Sequence, residues 1–234
     1  IMSGGETEPG ATLFNVFAIR GEEYRDPRVL IPGIENIIAW APLHLIATHG
    51  PPLAGRANIT LKCERYRDSI QFLWDQTVRG INLGWTDDEI ADRVRLPAHT
   101  ADDWYTREFY GVAEHHVRQI AVGVRGWFDG DPGKLFRVEP HERARRLVEG
   151  FGGAEVVLAQ IHAAIAENDL RWALELASWL RTVDPDEASF RLVTADVLRR
   201  IGHRTTAANC RNWCLPPARD LDGTRPQDRH RMHR

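Results

Sequence analysis

The chain has 234 residues, of which 43% are hydrophobic and 27% charged, so it can bury a sizeable core. Its formal net charge of −3, from 30 basic and 33 acidic residues, gives no overall electrostatic case for nucleic acid or an anionic membrane as a partner. No apolar run approaches the roughly 18 residues that cross a bilayer, and the first ten residues do not resemble a signal peptide. We therefore expect a soluble globular protein that binds no nucleic acid and has no membrane span.

The first 60 residues differ in kind from the rest. Residues 12–21 (TLFNVFAIRG) and 43–50 (LHLIATHG) have the β-branched and aromatic content of strands, and residues 26–40 between them could form a helix. Two strands and a helix are too few to close a sandwich or a doubly wound sheet. The pattern therefore indicates the end of a larger α/β domain.

His49 ends the second of these strands, immediately before a Gly-Pro-Pro turn. A neutral imidazole held at a strand end by a stiff turn keeps its lone pair aimed at little entropic cost, as a metal ligand requires. A lone histidine at a strand end also occurs without a ligand role. The residues alone leave both interpretations open.

Beyond this region the apolar periodicity is helical. A long amphipathic helix is predicted over 62–84 with Gly84 at its end, and a short helix over 86–96 begins with a capping box of Thr86 and Glu89. Turn signals separate further helices, which we expect at about 100–108, 111–126, 140–150, 153–166, 169–181, 186–200 and 204–214. The fold class is therefore mainly α.

Residues 166–202 contain two amphipathic helices joined by an Asp-Pro turn. The pattern resembles a tetratricopeptide hairpin, whose helix pairs stack side by side, although only about one and a half repeats are visible. A helical hairpin in an ordinary bundle is the alternative. Small residues occupy the positions where the two helices would approach closely: Ala173, Ala177, Ala188 and Ala195.

The three cysteines give no functional signal. Cys210 and Cys214 are four residues apart, so on a helix they would share a face and could pair or help to bind a metal. No second Cys/His pair lies nearby at zinc-finger spacing. We expect these thiols and that of Cys63 to be buried or inert.

Several segments resemble the metallo-β-lactamase-fold alkyl sulfatases, in the part after their metal-binding half and in their helical dimerisation domain. The resemblance is carried, in family order, by NVFAIRGEEYRDPR, ATHGPPLAGR, YRDSIQFLWDQTVRGINLGWTDDEIADRVRLP, EFYGVAEHHVRQ, GWFDGDPGKLF and DPDEASFRLVTADVLRRIG. It implies a C-terminal remnant of a metallo-β-lactamase-like domain at 1–60 and an alkyl sulfatase-type helical dimerisation domain at 61–215. Residues 216–234 match nothing in the family, and we expect a disordered tail there.

The resemblance implies a dinuclear zinc centre, with two zinc ions per subunit in an intact family member. His49 matches the last histidine ligand of that centre. Glu6 fits best as a glutamate ligand, although Glu8 is only two residues away.

The resemblance also implies that Asn15 and Arg20 bind the sulfate group of the substrate. A guanidinium offers two parallel donors to a sulfate edge, and a neutral amide adds a donor without further charge. An ion pair between Arg20 and a nearby carboxylate such as Asp26 is the alternative.

In this family the reaction is hydrolysis of a small-molecule alkyl sulfate by a zinc-activated water, and the helical domain of a second subunit helps to cover the site. We therefore expect a homodimer formed through residues 62–130, while cytoplasmic and exported locations in a bacterium both stay open. Aromatic residues that could form a channel wall, a dimer contact or simply core are Trp104, Tyr105, Phe109 and Tyr110.

Two features depart from the family pattern. The His-x-His-x-Asp-His motif that supplies most of the zinc ligands is absent from the 234 residues, so the chain alone is expected to be inactive. Ala121 and Val124 stand where the family carries tyrosines, one of which contacts the sulfate. His115 and His116 lie close by, and at most one of them could face the site from a helix.

The implied enzyme class is a sulfuric ester hydrolase, with two alternatives. A non-catalytic helical module for dimerisation and interaction is favoured by the missing metal motif and the tetratricopeptide-like hairpin. A metallo-hydrolase acting on a different ester or thioester is favoured by Ala121 and Val124.

Overall fold

A computed structural model describes residues 13, 14, 16, 19, 24–47 and 49–224. Within these residues the chain forms ten α-helices, one 3₁₀ turn and one antiparallel pair of short strands, which confirms the mainly α fold class. The elements are α1 (Pro27–Trp40), β1 (His44–Leu45), β2 (Leu53–Ala54), α2 (Arg56–Asn82), α3 (Asp87–Arg93), α4 (Ala98–Ala101), α5 (Ala113–Arg125), the 3₁₀ turn (Pro132–Lys134), α6 (Pro140–Gly150), α7 (Ala154–Ala166), α8 (Leu170–Val183), α9 (Ala188–Arg204) and α10 (Ala208–Leu221).

The chain divides into two compact units, which are described separately. The N-terminal unit comprises residues 1–135 with 206–209, and the C-terminal unit comprises residues 136–205 with 210–234. We expected a boundary near residue 60 between two family domains. A division into compact units does not test such a boundary, so it stays a prediction.

Helix α2 is the centre of the N-terminal unit and packs against α1, α3, α4, α5 and the strand pair. It begins at Arg56, earlier than expected, after a left-handed Gly55 with φ 86°. Gly84, with φ 77°, follows the end of the helix as the sequence predicted. The buried side chains recur at spacings of three and four along one face of α2 and form the core: Ile59, Cys63, Tyr66, Ile70 and Leu73.

The start of α3 confirms the predicted capping box. The backbone N–H of Glu89 donates to Thr86 Oγ1 at 3.2 Å, and the backbone N–H of Thr86 donates to Glu89 Oε2 at 2.9 Å. The close approach of α3 to α2 depends on Gly80, because a Cβ there would lie 2.7 Å from Cγ1 of Ile90. Local capping and a single small residue thus set this helix pair.

The predicted helix over 100–108 is wrong, since α4 ends at Ala101 and turns follow. The carboxylate of Asp103 accepts a hydrogen bond from the backbone N–H of Tyr105 at 3.0 Å. The hydroxyl of Thr106 donates to the carbonyl of Thr100. These side-chain bonds compete with helical hydrogen bonding and turn the chain.

The two predicted strands also need correction. Only His44 and Leu45 of the second one pair with another strand, and the described residues of 12–21, which are 13, 14, 16 and 19, lie outside strands. The side chain of Ile46, just after the paired residues, is 81% exposed. Among the described residues the hairpin pairs with no further strand, and it packs against α2 with Leu53 buried in the core.

Helix α8 is the centre of the C-terminal unit, and α6, α7 and α9 pack around it. Ala173 and Ala177 are fully buried, as the pattern of small residues indicated. Trp172 and Trp179 meet edge to face at 5.8 Å between ring centroids. The helical hairpin is confirmed, and its likeness to a tetratricopeptide pair stays a prediction.

The last helix, α10, continues to Leu221 with Pro216 and Pro217 inside it. The tail expected from residue 216 is therefore helical over its first six positions, and residues 225–234 lie outside the described part. Gly202 allows α9 and α10 to pack closely, because a Cβ at this position would lie 2.6 Å from Cδ2 of Leu215.

The thiols of Cys63 and Cys214 are buried, as expected. Burial in the apolar core raises the pKa of Cys63 to about 11, and the negative charge of Glu64 acts in the same direction. This thiol is therefore protonated and unreactive at neutral pH.

Candidate functional site

His49 lies in the loop that joins β1 to β2, and its side chain is exposed. The two strands pair in antiparallel register, with His44 opposite Ala54 and Leu45 opposite Leu53. The backbone N–H of Gly55 donates to the Leu43 carbonyl at 2.9 Å and extends the pairing by one bond. The imidazole therefore projects from the tip of a closed hairpin and is accessible to a ligand.

The second candidate zinc ligand, Glu6, lies outside the described residues. Within the described ranges there is no group of three or more His, Cys, Asp or Glu side chains placed to bind a metal ion. An exposed imidazole suits zinc chemically, but the described residues do not by themselves make a zinc site.

The candidate sulfate ligands Asn15 and Arg20 also lie outside the described residues. Their described neighbours Leu13, Phe14 and Val16 are buried, with 0%, 1% and 0% exposure. The backbone N–H of Leu13 donates to the Arg107 carbonyl at 2.7 Å. The turn between α4 and α5 therefore holds the backbone at Leu13, two positions before Asn15.

The other end of this segment is fixed in the same way. The backbone N–H of Arg25 donates to the Val16 carbonyl at 3.0 Å. Asp26, the alternative partner considered for Arg20, forms a bidentate ion pair with Arg28 and accepts its backbone N–H at 2.9 Å. These bonds lower the pKa of Asp26, with the side-chain bond from Arg28 as the largest cause.

His116 of α5 is a buried polar residue that contacts this segment. Its Nε2 lies 2.7 Å from the carbonyl oxygen of Phe14, and its ring stacks on the Phe14 ring at 5.0 Å with a 25° angle. Because a carbonyl only accepts, Nε2 carries the proton. Desolvation lowers the pKa of His116 to about 4, so the imidazole is neutral at physiological pH.

A small open pocket adjoins His116. Its lining combines the aromatic and imidazole groups at the start of α5 with one residue of the N-terminal segment and one of α10: Ile19, Tyr110, Val112, His115, His116 and Asn209. Both members of the histidine pair line this pocket. The expectation that at most one of them faces the sulfate site stays a prediction.

The two positions where the resemblance places tyrosines carry no polar side chain in this chain. Ala121 is fully buried in the core of the unit, whereas Val124 is 44% exposed. Neither can donate a hydrogen bond to a sulfate ester.

The candidate aromatic residues after α4 divide between the core and the surface. Tyr105 is 7% exposed, and the ammonium of Lys62 lies 5.3 Å from its ring centroid. Trp104 is 52% exposed, and its ring lies 4.9 Å from that of Phe109. Tyr105 is therefore a core residue, whereas Trp104 is exposed and available for a channel or dimer contact.

Sequence reasoning missed an ionic clamp in the GWFDGDPGK segment. Asp129, whose side chain has no exposed surface, accepts hydrogen bonds from Lys134 and from the backbone N–H of Asp87 at 3.1 Å. Burial alone would raise the pKa of Asp129, but the bonds from Lys134, Asp87 and Asp131 outweigh it and lower the pKa to about 2. The clamp fastens this segment to the start of α3, beside a Trp127 that is 67% exposed.

Comparison with known proteins identifies the family. A family model described as alkyl sulfatase dimerisation matches residues 86–223. The chain therefore belongs to the alkyl sulfatase dimerisation family.

Individual relatives agree with this assignment. The chain is 38% identical over 224 residues to a linear primary-alkylsulfatase of Pseudomonas sp., a match that covers 95% of this chain and 42% of the relative. It is 32% identical over 212 residues to the alkyl/aryl-sulfatase BDS1 of Saccharomyces cerevisiae, covering 89% of this chain and 33% of the relative. The chain thus spans well under half the length of these curated relatives.

A solved structure is similar over nearly the whole chain. The stereoselective inverting sec-alkylsulfatase Pisa1 from Pseudomonas sp. superposes with a TM-score of 0.89 at 31% identity, covering 96% of this chain and 36% of that one. Among the helices that the structure describes, none combines the length and the apolar character needed to cross a membrane.

Proposed function

We propose that this chain forms part of an alkyl sulfatase that hydrolyses sulfate esters with zinc. The observation that carries the proposal is the 38% identity to a linear primary-alkylsulfatase across 95% of the chain. In this proposal His49 and Glu6 are zinc ligands, and Asn15 and Arg20 hold the sulfate group of a small-molecule alkyl sulfate. Zinc, when bound, would supply an activated water as the nucleophile.

The chemistry of the residues in this chain supports their proposed roles. The His49 imidazole is exposed at the tip of a hairpin, where a metal can reach its lone pair. A guanidinium matches two oxygens of a sulfate, and an amide donor adds direction without a further charge. The described residues on either side of Asn15 are buried, and the backbone is hydrogen-bonded at Leu13 and Val16.

A homodimer is part of the proposal, and we place its interface within residues 62–130. The N-terminal unit exposes several large apolar side chains in this range: Leu83 at 55%, Trp104 at 52%, Val124 at 44% and Trp127 at 67%. Exposed aromatic residues are enriched in protein interfaces. Light scattering at micromolar concentration should report a dimer, Trp127→Glu should weaken it, and Trp213→Glu, outside this range, should leave it intact.

A second candidate function is a non-catalytic dimerising module. It is favoured by the family model, which describes the dimerisation domain and covers residues 86–223. A metallo-hydrolase for another ester or thioester is a further candidate, because Ala121 and Val124 offer no phenol to a sulfate.

The test of the proposed function is sulfate release from a medium-chain alkyl sulfate, measured on the chain and on a form extended upstream through its reading frame. The extended form should hydrolyse the ester, and Arg20→Ala should lower kcat/KM by about 100-fold or more because it removes a charge-assisted pair of donors. Arg211→Ala, at an exposed position of α10, is the matched control and should leave kcat/KM unchanged. Hydrolysis of a carboxylic ester or thioester in place of the sulfate would favour the other hydrolase.

A further inference from the structure

We propose that the outward face of α1, together with the exposed apolar side chains around β1, is the surface on which the upstream part of the polypeptide packs. That part is the sequence that precedes residue 1 in the form extended through its reading frame. The inference rests on the proposed function, in which the extended form supplies the rest of the zinc centre. It gives an apolar surface, which itself binds no metal, a part in completing that centre.

The first support is that α1 is apolar on two faces. The side chains of its inward face are buried in the core of the N-terminal unit: Leu30, Ile34 and Ile37. On its outward face Val29 is 71% exposed and Trp40 is 65% exposed. Because a turn takes about 3.6 residues, these two side chains lie about three turns apart on one side of the helix. Pro32 and Asn36 lie between them on the same side and are also exposed.

The outward face of α1 is unusual for a surface helix. Such a helix ordinarily turns charged and polar side chains to water, as α6 does. The exposed side chains of α6 are all polar or charged: His141, Arg143, Arg146 and Glu149. The only charged residues of α1, Arg28 and Glu35, project about 100–120° away from Val29. The apolar face of α1 is therefore typical of a helix that lies between two layers.

The second support is that exposed apolar side chains continue from α1 into the hairpin. Leu43 follows Trp40 by three residues, a span of at most about 11 Å, and it is 58% exposed. Ile46, just after the paired residues of β1, is 81% exposed. Among the described residues β1 pairs with β2 alone, so its other edge is free to pair with a further strand. An apolar helix face followed by such an edge matches the layers of a larger α/β domain.

The upstream part of the polypeptide is the occupant that fits this surface. The chain covers 42% of the linear primary-alkylsulfatase and 36% of Pisa1, so most of each relative has no counterpart in these residues. In the proposed function the further zinc ligands have to reach His49, on the same hairpin as Ile46. The body that carries them therefore approaches the apolar surface. A second copy of the chain has its own proposed interface within residues 62–130, and α1 lies outside that range.

Hydroxyl-radical footprinting of Trp40 and Ile46 tests the proposal on the 234-residue chain and on the extended form. We expect both side chains to be oxidised at least about 10-fold more slowly in the extended form, because packing excludes water from them. Trp213 of α10, which is 57% exposed, is the matched control. It should be oxidised at the same rate in both forms.

Trp40→Lys tests the same contact through stability and zinc content. In the 234-residue chain this change should move the Tm by less than about 2 °C, because the side chain is in water. In the extended form it should lower the Tm by about 5 °C or more, because an ammonium group would be buried without a partner. It should also reduce the zinc content of the extended form. Trp213→Lys should change the Tm and the zinc content of neither form.

Three results would overturn the proposal. They are equal oxidation of Trp40 in both forms, protection of Trp40 already present in the 234-residue chain, and an unchanged Tm of the extended form in Trp40→Lys. Protection that grows with the concentration of the shorter chain would assign the surface to a second copy. The proposed function fails separately, if the extended form neither binds zinc nor hydrolyses an alkyl sulfate while Trp40 is protected. The packing surface would then stand without a role in zinc binding.

Discussion

The Lys134 ammonium donates to the Asp129 carboxylate, and the Asp129 side chain has no exposed surface. The same carboxylate accepts the backbone N–H groups of Asp87 at 3.1 Å and Asp131 at 3.3 Å. One buried side chain thus joins the start of α3 to the turn after α5. Removing one partner from such a buried pair costs more than its formation contributes, because the remaining charge stays unpaired.

Asp129→Asn should therefore destabilise the N-terminal unit by about 1–3 kcal/mol, since Lys134 loses its buried anionic partner. Urea unfolding at neutral pH gives the free energy of unfolding. The control is Asp92→Asn, whose side chain is 86% exposed and should change stability by less than about 0.5 kcal/mol. Equal effects of the two substitutions would show that the clamp contributes no stability.

The clamp also predicts that the stability of the N-terminal unit falls at acid pH. The pKa of Asp129 is lowered to about 2, below its ordinary value of 3.8, so its contribution is present above the ordinary value and is lost as pH falls through about 2. Asp129→Asn should remove this part of the acid sensitivity. Parallel unfolding curves of the two proteins through the acid range would contradict the assignment.

His116 predicts a second pH dependence at milder acidity. Its pKa falls from 6.5 to about 4 in the folded chain because of burial, with the charge of His115 adding to the effect. Below pH 6.5 the imidazole therefore binds a proton in the unfolded chain but not in the folded chain. The stability that is present above pH 6.5 is lost as the pH falls toward about 4. Between about pH 7 and about pH 5 this loss should be about 2 kcal/mol. His116→Gln should abolish it, and a parent chain equally stable at both pH values would show that the imidazole is not buried in the neutral form.

Gly111→Ala tests the close packing of the Gly111 backbone against His116 and Phe14. The added methyl group would overlap the His116–Phe14 hydrogen bond, so we expect a loss of about 1–3 kcal/mol in the free energy of unfolding. Gly150→Ala at the end of α6 is the matched control, because a Cβ there meets nothing within 4 Å. That change should be neutral or stabilising by up to about 1 kcal/mol. Equal effects of the two substitutions in urea unfolding would contradict the packing around His116.

The sequence predicted most helices well because their apolar periodicity and caps are local signals. The predicted helix at 140–150 matches α6, and the capping box of Thr86 and Glu89 forms as expected. The helix over 100–108 failed for a reason that local pattern cannot reveal. Asp103 is held by Lys62 at 2.8 Å and by Arg65 of α2, and this distant ion cluster stabilises a turn where the pattern indicated a helix.

The candidate site was predictable only in part. His49 could be proposed from a strand end and a turn, and it lies at an exposed hairpin tip, although the strand before it is short. His116 was noticed beside His115, but its hydrogen bond could not be predicted, because the partner is a backbone carbonyl, that of Phe14, 102 residues away. The sequence alone shows that Ala121 and Val124 replace tyrosines of the family pattern. Only the structure shows that Ala121 is buried and Val124 is exposed.

Zinc content by elemental analysis tests the central claim most directly. It is measured on the 234-residue chain, on the form extended upstream through its reading frame, and on His49→Ala in the extended form. The proposal expects about two zinc ions per subunit in the extended form, little or none in the shorter chain, and a clear loss in His49→Ala, with exposed His203→Ala unchanged. Little zinc in both forms, or full zinc content in His49→Ala, would contradict a metal-binding role for this histidine.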